Sequence, residues 1–204
     1  MARNSIGKLT RILAALLIFI SGLAVLAPSA NADTWPFDGN HPDGGNHIYC
    51  YAGTVPSNLR DNMESAISYL NGYTDAVTQL HTTCNLSGAG QTDVVWMNYG
   101  LGGVKFGGTD CDIYWDPPYE ERCDRFRAVV DKNRIDGAAY LRAENQYTKT
   151  ACHEIGHTVG LAHYSEMVVP PEGADCMRDG LWADGELWTR TYNYHHIAHV
   201  DAWF

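Results

Sequence analysis

The chain has 204 residues, and its 24 acidic side chains against 14 basic ones give a formal charge of −10. So acidic a surface argues against nucleic acid or an anionic membrane as a partner. Its six cysteines include no C-x-x-C pair, which argues against a cysteine-ligated zinc site.

The N-terminus carries Arg3, Lys8 and Arg11, then an apolar run from Ile12 to Ala27, then Ala30-Asn31-Ala32 as a small-x-small site. That order predicts a secretory signal peptide over residues 1–32, cleaved after Ala32. The apolar run is shorter than the roughly 20 residues of a membrane span. An uncleaved anchor is the rival reading, and no second spanning run follows. Cleavage leaves residues 33–204 as an acidic, secreted, extracellular chain, free of the membrane and expected to be a monomer. All six cysteines, Cys50, Cys84, Cys111, Cys123, Cys152 and Cys176, fall in this part. An even count in an exported chain reads as disulfides, and the sequence alone leaves the pairing open.

Residues 33–46 are rich in Pro, Gly, Asp and Asn and predict an irregular tail. The catalytic domain is expected over 47–204. Residues 47–52 alternate and carry aromatics, as a first strand does. Ser57 reads as a helix cap, followed by Leu59, Met63, Ala66, Ile67 and Leu70 on one helical stripe. Asn71-Gly72 stops this helix, or it runs on toward Leu80. Residues 93–99 read as a buried strand and the glycine-rich 101–108 as a turn or bulge. That stretch lacks the Lys-Ser/Thr ending of a phosphate loop. Short strands are expected at 112–115 and at Phe126–Val130. A second long helix starts near Asn145 or Thr148. After His163 come loops, the pair Cys176-Met177, and a terminal helix near Tyr194–Trp203 with Asn193 as its cap. The fold class is α+β, with an upper part to about residue 163 and a lower part over 164–204.

The strongest chemical signal is ACHEIGHTVGLAH, residues 151–163. His153 and His157 are four apart, so a helix aims both imidazoles at one point. Glu154 lies about 100° around the helix, out of the ligand set but within reach of a water at the metal. Gly160 can adopt the left-handed conformation that ends a helix and lets the chain turn back, so that His163 supplies a third ligand. Three protein ligands leave a fourth position open, the mark of a catalytic zinc. Glu154 would then serve as general base toward a water activated by zinc. The bland alternative is a set of ordinary helix residues.

The run His153-Glu154-Ile155-Gly156-His157-Thr158-Val159-Gly160-Leu161-Ala162-His163 resembles the H-E-x-x-H-x-x-G-x-x-H signature of the metzincin zinc metallopeptidases. Within that clan it looks most like small secreted actinobacterial proteases of matrixin-like or snapalysin-like type. Snapalysins usually have aspartate as third ligand, so His163 leans toward the matrixin-like pattern. The resemblance covers about residues 148–180. It implies a zincin fold: a twisted mixed sheet, two long helices and a small C-terminal subdomain with a methionine turn. Met177 would be the methionine beneath the zinc, with a plain core methionine as the alternative. Phe126–Val130, or a strand near it, would be the edge strand that pairs with an extended peptide or protein substrate. Some relatives place a tyrosine where this chain has Asp179, so no tyrosine ligand is expected. No cysteine precedes the first strand, so latency through a thiolate on zinc is not expected either.

If the methionine turn lies beneath the zinc helix, Cys152 and Cys176 come close enough to bond. Cys50–Cys84 and Cys111–Cys123 then remain as pairs. A second cluster, His195, His196 and His199, has one i, i+4 pair but neither the glutamate nor the turn glycine. It reads as part of a terminal helix docked by Ile197, Val200 and Phe204, with His196 a candidate support for the zinc site. Acidic loops make calcium binding possible, but no EF-hand-like spacing supports it. The sequence thus reads as a secreted zinc endopeptidase. A zinc-binding interaction module without turnover, or a hydrolase of a non-peptide amide such as a cell-wall component, are the alternatives.

Overall fold

The computed structural model describes residues 36, 41–88, 90–115, 122–138, 142–163, 174–182 and 186–204. Residues 1–32, expected to be a signal peptide, and the stretch 164–173 of the expected lower part lie outside the described residues.

The stripe read from sequence builds α1, Ser57–Tyr73, and all five of its apolar residues, Leu59, Met63, Ala66, Ile67 and Leu70, are buried. Burial of side chains this size stabilises by roughly 1.5–3 kcal/mol each, less for the alanine. Ser57 is not the cap. Pro56 holds that position in an extended conformation and makes no side-chain cap bond, and its carbonyl accepts from the Leu59 and Arg60 amides. The helix does not reach Leu80. Thr74 stops it, its hydroxyl and amide both donating to the Leu70 carbonyl, and Thr78–Leu80 is a strand.

Six strands form one mixed sheet: β1 (His41–Pro42), β2 (His47–Tyr51), β3 (Thr78–Leu80), β4 (Val94–Met97), β5 (Gly107–Tyr114) and β6 (Arg122–Val130). β3, β2, β4 and β6 run parallel in that spatial order. β1 adds a short parallel pairing to Arg122 and Cys123, so part of the tail expected to be irregular joins the sheet. β5 pairs with β6 antiparallel. Residues of β6 that face β4 on one side face β5 on the other, which puts Phe126–Val130 inside the sheet. The edge strand is therefore β5, a correction to the sequence reading. The glycine-rich 101–108 region looked like a turn, yet Gly107 and Gly108 already belong to β5.

Registers fix which side chains share a face. Tyr49 pairs with Val94, and Val94 with Phe126; Trp96 pairs with Ala128. These residues, with Val130, make one buried face that joins the α1 stripe and α3 in a single apolar core. Three further helical pieces follow: α2 (Lys132–Ala138), α3 (Ala143–Thr158) and, after a 3-10 turn at Leu187–Arg190, α4 (Tyr194–Trp203). α2 and the 3-10 turn were not expected. α3 starts earlier than the sequence suggested and is buried on almost every side from Gln146 to Thr158. Asn193 caps α4, its side chain accepting from the His196 amide. No helix among the described residues is long and apolar enough to cross a membrane.

Three disulfides tie these elements. Cys50–Cys84 joins β2 to the chain after β3, Cys111–Cys123 clamps β5 to β6, and Cys152–Cys176 joins α3 to the segment beneath it.

Candidate metal centre

α3 presents His153 and His157 from successive turns, and its end presents His163. The ending is a Schellman turn. The Leu161 amide donates to the Gly156 carbonyl and the Gly160 amide to the His157 carbonyl, while Gly160 takes a φ of +89°. That geometry satisfies two carbonyls the helix would otherwise leave open. It also reverses the chain, so that His163 reaches back to the helix.

The three Nε2 atoms converge. Nε2 of His163 lies 2.9 Å from Nε2 of His153 and 2.9 Å from that of His157. Every Nδ1 points outward to an acceptor: His153 to the Cys176 carbonyl at 2.8 Å, His157 to the Leu161 carbonyl at 2.7 Å, and His163 to Asp179 Oδ1 at 3.3 Å. A carbonyl can only accept, so the Nδ1 atoms of His153 and His157 carry the protons and their Nε2 lone pairs face the centre. Burial pushes the pKa of both residues down, that of His157 to about 3. The imidazoles are thus held neutral, as metal ligation requires. Lone pairs turned on one another repel unless a cation sits between them. Among the described residues this is the one group of three or more His, Cys, Asp or Glu side chains placed to hold a metal ion. The donor set, three neutral imidazoles with outward hydrogen bonds, fits zinc.

Glu154 is also buried. The Thr109 hydroxyl on β5 donates to its Oε2 at 2.8 Å. Burial raises the Glu154 pKa to about 8, partly opposed by the Thr109 bond and by Lys149 and Lys105. β5 passes so close that a Cβ at Gly107 would stand 2.2 Å from Glu154 Oε1. A side chain at Gly107 would force the Glu154 carboxylate and the Thr150 methyl to shift. A cavity of about 440 Å³ opens here, lined by the three histidines and Glu154, by Lys105–Thr109, and by Lys149, Asp179 and Gly180.

The floor of the site is the segment 174–180. Met177 is fully buried and packs against α3 at Gly156, where a Cβ would meet its sulfur at 2.3 Å. Asp175 organises the turn: its carboxylate accepts from the Met177 amide at 2.8 Å, the Asn193 amide at 2.9 Å and His196 Nδ1 at 2.5 Å. The Cys176 amide donates to the Thr191 carbonyl, and the Tyr192 hydroxyl to the Cys152 carbonyl. His196 thus reaches the site through Asp175. His195 and His199 pack ring to ring on α4, with centroids 4.2 Å apart.

Four residues of the cleft were missed in the sequence. Lys149 had a signal, since it precedes His153 by the same four residues that separate His153 from His157. Asp179 was noted only for not being tyrosine. Thr109 and Gly107 gave none, because only the β5–β6 pairing brings them to Glu154.

The sequence matches no family model and no curated protein. Among solved structures, the chain is similar to archaemetzincin from Methanopyrus kandleri, at 16% identity and a TM-score of 0.47, over 79% of this chain and 97% of that one. It is also similar to archaemetzincin from Archaeoglobus fulgidus complexed with malonate, at 18% identity and a TM-score of 0.39, over 74% of this chain and 98% of that one. Likeness at this level concerns the path of the chain and carries no chemistry.

Proposed function

We propose that this chain is a secreted zinc-dependent endopeptidase of metzincin type. The observation that carries the reading is the convergence of three proton-free Nε2 atoms whose Nδ1 partners are held outward by two carbonyls and a carboxylate. His153, His157 and His163 would hold the zinc. When bound, zinc supplies Lewis acidity, lowering the pKa of water toward about 7 and polarising a peptide carbonyl.

The protein's own groups supply the rest. Glu154, next to the ligand His153 and lining the same cavity, takes the proton of the attacking water and passes it to the leaving amine. Thr109 holds the carboxylate in place by its hydroxyl. β5, as the sheet edge along this cavity, offers its backbone to an extended peptide. Met177 beneath Gly156 is the methionine of a metzincin turn, and Asp175 and His196 brace that turn. The matrixin-like resemblance stays with the third histidine ligand. Three disulfides and no free cysteine support an oxidising, extracellular setting after removal of residues 1–32.

The test is hydrolysis of unfolded, labelled casein by the purified protein, run beside Glu154→Ala, with zinc content measured in both. The expected result is one zinc in each and cleavage by the first alone. Equal cleavage by both removes Glu154 from the mechanism, and one zinc with no cleavage by either favours a binding module.

A further inference from the structure

Two charged groups of the cleft, Lys105 and Lys149, take no part in peptide hydrolysis as described, and Lys149 is the buried one. Lys149 lies one helical turn before His153 on α3 and is only 3% exposed, yet its side chain lines the same cavity as Glu154 and the three histidines. An ammonium carries three protons. One goes to the Arg178 carbonyl. Among the described residues no carboxylate lies within ion-pair distance of it, so Glu154, Asp179 and Asp175 act on it only through space. A buried ammonium with one hydrogen bond is costly to keep, and a charge of opposite sign is what relieves that cost.

The surroundings leave room for such a charge. The cavity that Lys149 lines holds about 440 Å³, and Gly180, which also lines it, adds no side chain to it. Lys105 adds a second positive charge to the lining. The two carboxylates of the cavity are engaged elsewhere, Glu154 with Thr109 and Asp179 with His163.

We propose that Lys149 makes this cavity a subsite for a substrate carboxylate next to the bond that is cut. The carboxylate is either the side chain of an aspartate or glutamate or the free C-terminus of the peptide. This rests on the peptidase reading of the same cleft. Lysine suits both sources, being a compact point charge with rotatable donors rather than a planar fork.

The experiment uses the zinc-loaded protein and a set of peptides of one sequence, with Glu, Gln or Lys placed in turn at each position flanking the cleaved bond. Every peptide is made with a free and with an amidated C-terminus. The expected result is a kcat/KM for the carboxylate-bearing peptide higher than for its neutral analogue by on the order of tenfold or more. A preference for Glu over Gln identifies a side chain as the source, and a preference for the free over the amidated end identifies the C-terminus. Lys149→Met, checked for zinc content and melting temperature, should bring the ratio to about one, and Lys149→Arg should keep part of it. A ratio near one for the unmodified protein at every position, in both end forms, overturns the proposal without any variant. So does a ratio that Lys149→Met leaves unchanged, and Lys149 is then only a brace for the Arg178 carbonyl. Titration calorimetry of the same peptides separates this from failure of the peptidase reading. Tighter binding of the carboxylate peptide, lost in Lys149→Met, upholds the subsite even if nothing is cleaved. Equal binding of all peptides together with no cleavage overturns it.

Discussion

Two histidine clusters in this chain share the i, i+4 spacing and differ in almost everything else. In the first, His153 and His157 are buried, turn their Nδ1 protons outward and meet a third imidazole that a Schellman turn brings back. In the second, His195 and His199 pack against each other on α4, and the buried member of the cluster, His196, gives its Nδ1 to Asp175. Spacing alone therefore does not make a metal site. A set fit to hold an ion also needs a third donor, here brought by a chain reversal, and acceptors that fix each ring's tautomer.

The contrast can be broken or sharpened by experiment. The largest effect is expected from His157→Ala, which should take zinc from one equivalent to none in metal analysis and abolish hydrolysis. Next, Glu154→Ala should keep the zinc and lower kcat by about 10²–10⁴-fold, the usual weight of a general base. Asp175→Ala takes from the buried His196 the carboxylate that its Nδ1 meets and frees the turn under Met177. Denaturant unfolding should show a loss of about 3–5 kcal/mol, as for a broken buried pair, together with weaker zinc retention against a chelator.

His47 sharpens the contrast from another side. It is a buried histidine outside both clusters, its Nε2 2.8 Å from the Thr158 hydroxyl oxygen, and burial lowers its pKa to about 4. The folded value lies below the unfolded one of about 6.5. Its contribution is therefore complete above pH 6.5 and is lost as pH falls toward 4. The expected cost is about 3 kcal/mol across that window. Unfolding curves at pH 7 and pH 4.5 should diverge less in His47→Gln than in the native protein. Smallest of all, the double change His195→Ala with His199→Ala should leave the zinc count at one and shift stability by no more than about 0.5 kcal/mol each. A second zinc lost on that change would overturn the distinction between the clusters.

What the sequence made legible was what lies close along the chain. The α1 stripe, the Asn193 cap and the histidine run with Gly160 all depend on neighbours within a few residues, where helical geometry dictates the outcome. The edge position of β5 was not legible, because it depends on β6 pairing to β4 on one side and to β5 on the other. Gly107 and Gly108 hid the strand further, since glycine weakens every strand signal. Thr109 and Gly107 touch Glu154 only through that pairing, and Asp179 meets His163 only once α3 and the segment below it are packed. The sequence reached Cys152–Cys176 only through the metzincin resemblance. In the structure, that bond and the Cys176 carbonyl on His153 join α3 to the same turn.

The outward hydrogen bonds of the ligands have one more consequence. Two of the three acceptors are main-chain carbonyls, those of Cys176 and Leu161, and no side-chain substitution at either position deletes them. The Asp179 carboxylate is the exception, at 3.3 Å from His163. Metal affinity in this candidate centre would thus be insulated from most point changes on two rings and adjustable on the third. A designer who wished to loosen or tighten the grip on the ion would have one dial to turn, Asp179. The other two settings are held by a helix end and a disulfide-bonded turn.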